Sequence, residues 1–428
     1  MYKSSNLFLL LTVSINLIIA SSCTSKEESE QFMKEELVKD TEVLKDSTRS
    51  IIRRIDSTEI SVITLEARIQ SLMKEAKVTG LAISILNENQ IIYRNAFGYA
   101  NYDRETTLQI NHSFYGASLS KAVFGYLISV LASEEVIDLD KPLQAYLDFP
   151  LYKLNSETRQ HGFQDLKNDK RYESITASMC LSHTSGFQNW RSIPRPDDPE
   201  NKKTLKIYFE PGTQYYYSGE GMMLLQYVIE HITGKKLEEL AQELIFKPLQ
   251  MNNTSYIWQE RFENKYCNGH SPKQYVRKKD KREIAAAAHS LETNLIDYSI
   301  FVQHIIKLYN ENSNVTQHLF KPNFSIRTKA QFGPWSLQES DENDHIQLNY
   351  GLGWGLLQTP FGFGAFKEGH GNRFQHYTIV FPETGIGVVM ISNSDNAESI
   401  FKELLEITIG DTYTPWKWQN YIPYKAKE

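Results

Sequence analysis

Apolar positions along the chain change period in a definite order. "LEARIQSLMKEAKV" (65–78) carries them at helical spacing and is followed by Gly80, which predicts a helix and its stop. "GLAISILNENQIIYRNAFGYA" then gives two β-rich runs around "NENQ", a hairpin signal. From about residue 118 to 310 the pattern is mainly helical. "ASLSKAVFGYLISVLASE" predicts a helix beginning near Ser118, "GMMLLQYVIEHITG" one stopped by Gly234, and "NLIDYSIFVQHIIKLY" a third. Beyond these, "NYGLGWGLLQ", "GFGAFKEGH", "FQHYTIVF" and "GIGVVMIS" read as successive strands, and "AESIFKELLEIT" as a closing amphipathic helix. Helix and hairpin first, helices in the middle, meander and helix last: this order predicts an α+β fold whose two chain ends feed one antiparallel sheet.

The N-terminal residues follow another pattern. "MYKSSNLFLLLTVSINLIIASSC" has one Lys, an apolar run from Leu7 to Ala20, and small residues ending at Cys23. That is the shape of a secretory signal, and the run is short for a membrane span. Small residues directly before a Cys resemble the lipobox of bacterial lipoproteins, in which that Cys is lipidated and becomes the mature N-terminus. An ordinary signal with a chance Cys is the alternative. "CTSKEESE" resembles the acidic export tag of some surface lipoproteins. From Lys26 to about Ser57 the chain is rich in Glu, Lys, Asp and Ser and poor in aromatics, which predicts a solvated tether. The expected plan is a signal over 1–22, a lipidated N-terminus and linker over 23–60, a folded body over 61–412 and a tail over 413–428. Such a protein sits in the cell envelope, held to the membrane through Cys23.

Composition narrows the chemistry. The chain has 428 residues, enough for one large domain or two modest ones, and its 41% apolar and 23% charged content is that of a globular protein. A net charge of −6 gives no electrostatic reason to expect nucleic acid. There is no CxxC and no H-E-x-x-H, so no metal site or cofactor is expected. Cys180, in "ITASMCL", reads as a small buried side chain, and pairing with Cys267 stays open.

One cluster stands out. In "SFYGASLSKAVFGYL", Ser118 and Lys121 are three apart at a helix start, so both side chains share one helical face. A serine hydroxyl is a poor nucleophile until something takes its proton. A lysine can do so only if burial and neighbouring positive charge lower its pKa. The helix N-terminus also supplies N–H groups for a developing oxyanion. The plain alternative makes Ser118 an N-cap and Lys121 a surface charge.

Other segments weigh against the plain alternative. "VTGLAISILNENQIIYRNAFGYAN", "SFYGASLSKAV", "IDLDKPLQAYL", "LSHTSGF", the stretch from "EPGTQYYYSGEG" to "MNNTSY", and "YGLGWGL" follow one another as they do in a known family. The chain resembles the serine β-lactamase-like hydrolases: class C β-lactamases, low-molecular-weight penicillin-binding proteins, D-amino-acid peptidases and related esterases. The resemblance spans roughly residues 62–400. It implies a β-lactamase/transpeptidase-like fold, an antiparallel sheet flanked by helices with a mainly helical lobe. It also implies acylation of Ser118, with Lys121 helping to deprotonate it. "YSG" matches the family's Y-x-N motif, so Tyr217 inherits the role of proton shuttle, with Tyr215 and Tyr216 as nearby decoys.

Two departures follow from the same comparison. The third residue of Y-x-N is Gly219, which cannot hydrogen-bond a substrate amide through a side chain; it is either a substrate-side position or a turn residue. No K-T-G occurs. Placed on the following strands, His370-Gly371-Asn372 takes its position, a backbone N–H near Asn372 or Arg373 joins that of Ser118 in an oxyanion hole, and Arg373 compensates for a histidine with less fixed positive charge than lysine. His183 and Ser185 of "LSHTSGF" are two apart and form a structural turn, while Asn189, Trp190 and Arg191 are candidates to line the pocket. The expected activity is acyl-enzyme hydrolysis of a small-molecule or peptide ester or amide, esterase- or peptidase-like rather than a true β-lactamase. The alternative is a cell-surface binding or scaffold protein that kept the fold and lost turnover.

Overall fold

The computed structural model describes residues 50–154, 162–201 and 203–427; Cys23, the leader and most of the expected tether lie outside the described residues. One compact unit runs from Ile51 to the C-terminal end. Its first long helix, α1 (Val62–Glu75), starts where the Ser61 hydroxyl accepts from the Thr64 N–H, and it buries Leu65, Ile69, Leu72 and Met73 on one face.

A hairpin of β1 (Gly80–Asn87) and β2 (Gln90–Asn101) follows. Its turn residues Glu88 and Asn89 have φ of 51° and 64°, the left-handed pair that a two-residue hairpin loop needs. β3 (Thr106–Thr107) extends it. After the helical middle come β4 (Phe324–Ser325), β5 (Asn349–Tyr350), β6 (Gly355–Thr359), β7 (Gly362–Gly371), β8 (Phe374–Phe381) and β9 (Ile386–Ser392). They form one antiparallel sheet in the order β3-β2-β1-β9-β8-β7-β6-β5-β4. The β9–β1 pairing, with Met390 opposite Ile83 and Ile391 opposite Ala82, joins the two ends of the chain as the pattern predicted.

Both faces of this sheet are covered. Leu81, Ile83 and Ile85 pack with α1 and the C-terminal helix, whereas Ala82 and Leu86 pack with the central helices. Alternate residues of one strand therefore enter two cores, and for this reason β1 reads as a nearly continuous apolar run. The central helix α2 (Leu119–Ser133) is apolar nearly all round and runs through the interior. It passes close to the "GLGWG" segment: a Cβ on Gly125 would lie 2.0 Å from the Leu352 carbonyl oxygen, and one on Gly353, at φ 80°, 2.4 Å from that of Lys121. Those glycines set the depth of the helix carrying Lys121. Two further long helices, α3 (Gly219–Thr233) and α4 (Leu295–Asn310), and the short α5 (Phe401–Thr408) complete the frame.

Three expectations change. Residues 51–61 are not tether: Ile51–Arg53 pairs with Glu59–Ser61, and Ile52, Ile55 and Ile60 are buried. The segment after residue 412 is no loose tail, because Trp416 and Trp418 are buried in the core. The stretch between α2 and α3 is less helical than its composition suggested, since Pro142 and Pro150 each precede only a short 3₁₀ turn. Cys180 and Cys267 are both buried and free.

Candidate active site

The chain reaches Ser118 through a strained residue. Ala117 has φ 47°, left-handed backbone that a non-glycine residue enters at a cost, and a small side chain makes it tolerable. Ser118 then stands at the N-cap of α2, yet its hydroxyl makes no capping bond. The plain N-cap reading fails there: the hydroxyl is free for chemistry.

Lys121 Nζ lies 3.0 Å from Ser118 Oγ and donates to the Ala288 carbonyl at 2.6 Å. The side chain is 1% exposed, so it is no surface charge. Burial drives its pKa well below the ordinary lysine value, the nearby Lys367 ammonium adds to this, and Glu368 opposes it. A neutral amine beside the serine is what proton removal requires.

Tyr217 precedes the N-cap of α3, where the Ser218 hydroxyl accepts from the Gly221 N–H. Its ring has Lys121 Nζ on it at 5.0 Å and Lys367 Nζ also at 5.0 Å. Lys367 donates to its phenol oxygen at 3.2 Å. Burial pushes the phenol pKa well up, Glu368 pushes the same way, and the Ser118 hydroxyl acts against both. Tyr217 therefore rests as a phenol. Tyr215 and Tyr216 are not its equals: Tyr215 packs against Tyr350 and Trp418, and Tyr216 lies against Arg195.

The "LSHTSGF" turn supports this tyrosine. His183, at φ 61° and fully buried, lies with its ring 4.1 Å from that of Tyr217, and its Nδ1 accepts from the Ser218 N–H. Burial and then the two lysines hold its pKa well below the imidazole range, so it is a neutral spacer. Ser185 makes no bond to it.

Strand β7 closes the opposite wall. Lys367, which the sequence reading did not single out, meets the phenol. Its Nζ is fully buried and donates to Tyr217 Oη and Tyr350 Oη at 3.2 Å each and to Glu368 Oε1 at 2.7 Å. Lys367-Glu368-Gly369 is a K-x-G run on the same strand, three positions before His370-Gly371-Asn372, which also lines the cleft. Gly369 and Gly371 bring the strand against the approach to Ser118: a Cβ on Gly369 would lie 3.0 Å from the Gly116 carbonyl oxygen, and one on Gly371 3.2 Å from the Tyr115 ring.

His370 lies at the cleft rim with its side chain 57% exposed. Its Nε2 is 3.4 Å from Asp395 and its Nδ1 3.4 Å from Glu398, and these bonds raise its pKa to about 9 against a smaller effect of burial. The two carboxylates favour its charged form, so it brings more positive charge to the rim than an ordinary imidazole, though still less than a lysine. Arg373 does not line the cleft; its guanidinium donates to the Tyr275 carbonyl. Gly219 is not a substrate-side position either. It is the first residue of α3, and a Cβ there would lie 2.5 Å from the Trp190 indole, which occupies the space a side chain would need. Arg191 turns away as well, buried against Glu220, whereas Asn189 accepts from the Gly219 N–H through Oδ1 and borders the cleft.

Together these groups line a cleft of about 490 Å³ that contains Ser118, Lys121, Tyr217, Glu368, His370 and Asn372. Arg282 and His289 are lining residues the sequence did not suggest. Among the described residues no group of three His, Cys, Asp or Glu side chains is arranged to hold a metal.

The Beta-lactamase family model matches residues 65–407. A putative D-alanyl-D-alanine carboxypeptidase of Escherichia coli O157:H7 is 26% identical over 381 residues, covering 76% of this chain and 80% of that protein. Penicillin-binding protein 4* of Bacillus subtilis is 26% identical over 63% of this chain and 58% of its own length. A D-aminopeptidase of Brucella canis is 27% identical over 46% of this chain and 37% of its own. Among solved structures, the octameric penicillin-binding protein homologue from Pyrococcus abyssi shares the fold, with a TM-score of 0.64 at 20% identity over 83% of this chain and 79% of that one. The chain belongs to the Beta-lactamase family of serine hydrolases.

Proposed function

We propose that the protein hydrolyses a peptide or related amide or ester through an acyl-enzyme on Ser118. The observation that carries this is the buried Lys121 Nζ, 3.0 Å from a serine hydroxyl that caps nothing, in surroundings that favour its neutral form. Lys121 takes the Ser118 proton as oxygen attacks the carbonyl carbon. The N–H of Ser118 and an N–H of the 370–372 stretch face the developing oxyanion. Tyr217, resting as a phenol, passes its proton to the leaving group, with the Lys367 ammonium steadying the phenolate that remains. Water then enters, gives a proton back through the same groups, and releases the acid.

Peptidase-like chemistry is favoured over β-lactam hydrolysis. Trp190 over Gly219 leaves no side chain at the place where the resemblance puts the amide-binding asparagine. A panel of a D-alanyl p-nitroanilide, a chromogenic ester and a chromogenic cephalosporin tests this. Turnover of the first or second but not the third, abolished in Ser118→Ala, is the expected result; faster turnover of the cephalosporin would reverse the assignment, and no turnover of any would favour a binding protein.

The leader supports an exported protein held by a lipid on Cys23. Mass spectrometry of the N-terminal peptide from the membrane fraction should find a diacylglycerol-modified Cys23, and an unmodified N-terminus would refute the anchor. Among the described residues no helix is long and apolar enough to cross a membrane.

A further inference from the structure

The site holds two buried lysines and one carboxylate. Lys121 and Lys367 each stand 5.0 Å from the centre of the Tyr217 ring. The bonds of Lys121 go to neutral atoms, Ser118 Oγ and the Ala288 carbonyl oxygen. Lys367 has an anion at 2.7 Å, Glu368 Oε1, and the same oxygen accepts from Gln331 Nε2 at 3.0 Å. Out of water and with one counter-ion between the two amines, the Lys367 ammonium works against protonation of Lys121.

We infer that Glu368 is a positioning residue, whose carboxylate fixes the site's single ammonium on Lys367 and so leaves Lys121 as the free amine beside Ser118. The role rests on the acyl-enzyme reading above and adds to it the group that decides which lysine is the base.

Other titratable groups face the two lysines and Glu368. Arg282 and His289 line the same cleft, and burial first, then Arg282 and Lys121, lower the His289 pKa to about 3. Tyr215, Tyr217 and Tyr350 surround Lys367 and Glu368, Tyr377 stands on the neighbouring strand β8, and burial keeps all four as phenols. His183 is neutral for the same reason. His370, next but one on β7, has its pKa raised to about 9 by Asp395 and Glu398 and titrates on the alkaline side too, so the limbs are compared in a His370→Gln background. Lys367 is itself pushed down by burial and drawn back up by Glu368. Exchange of the carboxylate for an amide leaves Lys367 without its anion, and its proton is then lost at lower pH.

The test is the rate at which a neutral fluorophosphonate labels Ser118 from acid to alkaline pH, in His370→Gln alone and in that background with Glu368→Gln or Glu368→Asp. The probe does not titrate, so the limbs belong to the protein. With Glu368 in place the rate rises as Lys121 loses its proton and falls as Lys367 loses its own. In Glu368→Gln the alkaline limb should move to lower pH by about one unit or more, and the maximal rate should fall about tenfold or more. Glu368→Asp, which keeps the charge, should return the limb most of the way. A limb that stays in place overturns the proposal whether or not the rate falls, because lost rate with an unmoved limb marks a merely structural residue. Failure of the wild type to label at Ser118 overturns the acyl-enzyme reading, and this role with it.

Discussion

Lys121→Met should slow acylation of Ser118 by about 10²–10⁴, the range for a positioned acid–base group, equivalent to about 2.7–5.5 kcal/mol of barrier. Methionine matches the stem in length and suits a site only 1% exposed, so the fold should survive. The Ala288 carbonyl loses its 2.6 Å donor, at a cost of about 1–3 kcal/mol for an unmet buried acceptor. Removal of a buried amine offsets part of that. The effect therefore belongs on the rate of labelling and not on the amount of folded protein. Time courses of adduct formation, with circular dichroism as the folding control, separate the two. A loss smaller than about tenfold would mean that another group is the base.

Trp418→Ala should destabilise the protein by about 3–5 kcal/mol, the usual cost of deleting a buried aromatic. The indole is 1% exposed, its Nε1–H donates to Thr328 Oγ1 at 3.0 Å, and its backbone carbonyl accepts from the Gln331 N–H at 2.7 Å. It packs on Phe366, next to Lys367, and on Tyr215, two residues before Tyr217. The substitution should therefore also loosen the Lys367–Tyr217 contact and slow labelling. Urea unfolding measures the first effect. A change below about 1 kcal/mol would return the segment after residue 412 to the status of a tail.

Local signals were legible in the sequence; long-range ones were not. Gly234 stops its helix as its chemistry suggested, and the polar run "NENQ" between two β-rich runs made the hairpin visible, its Glu88-Asn89 pair taking the left-handed turn. Ser118 and Lys121 could be paired because one helical turn separates them. Trp190 over Gly219 could not, because the indole comes from a loop whose register over α3 only tertiary packing sets. Arg191 looked like a cleft residue until its buried partner Glu220, on the first turn of α3, was known. Lys367 carries no such signal: the K-T-G resemblance falls on His370-Gly371-Asn372, which lines the cleft, and only strand packing shows a second residue of β7 reaching Tyr217. The tryptophans after residue 412 have no periodicity to betray their burial, and the charged residues around Ile52, Ile55 and Ile60 hid a hairpin.

The nucleophile is Ser118 if the acyl-enzyme chemistry is right. Incubation with a fluorophosphonate, digestion and peptide mass spectrometry read it directly. One adduct on the peptide carrying Ser118, lost in Ser118→Ala and slowed in Lys121→Met, is the predicted result. An adduct on another serine, with the Ser118 peptide unmodified at full labelling, would contradict it.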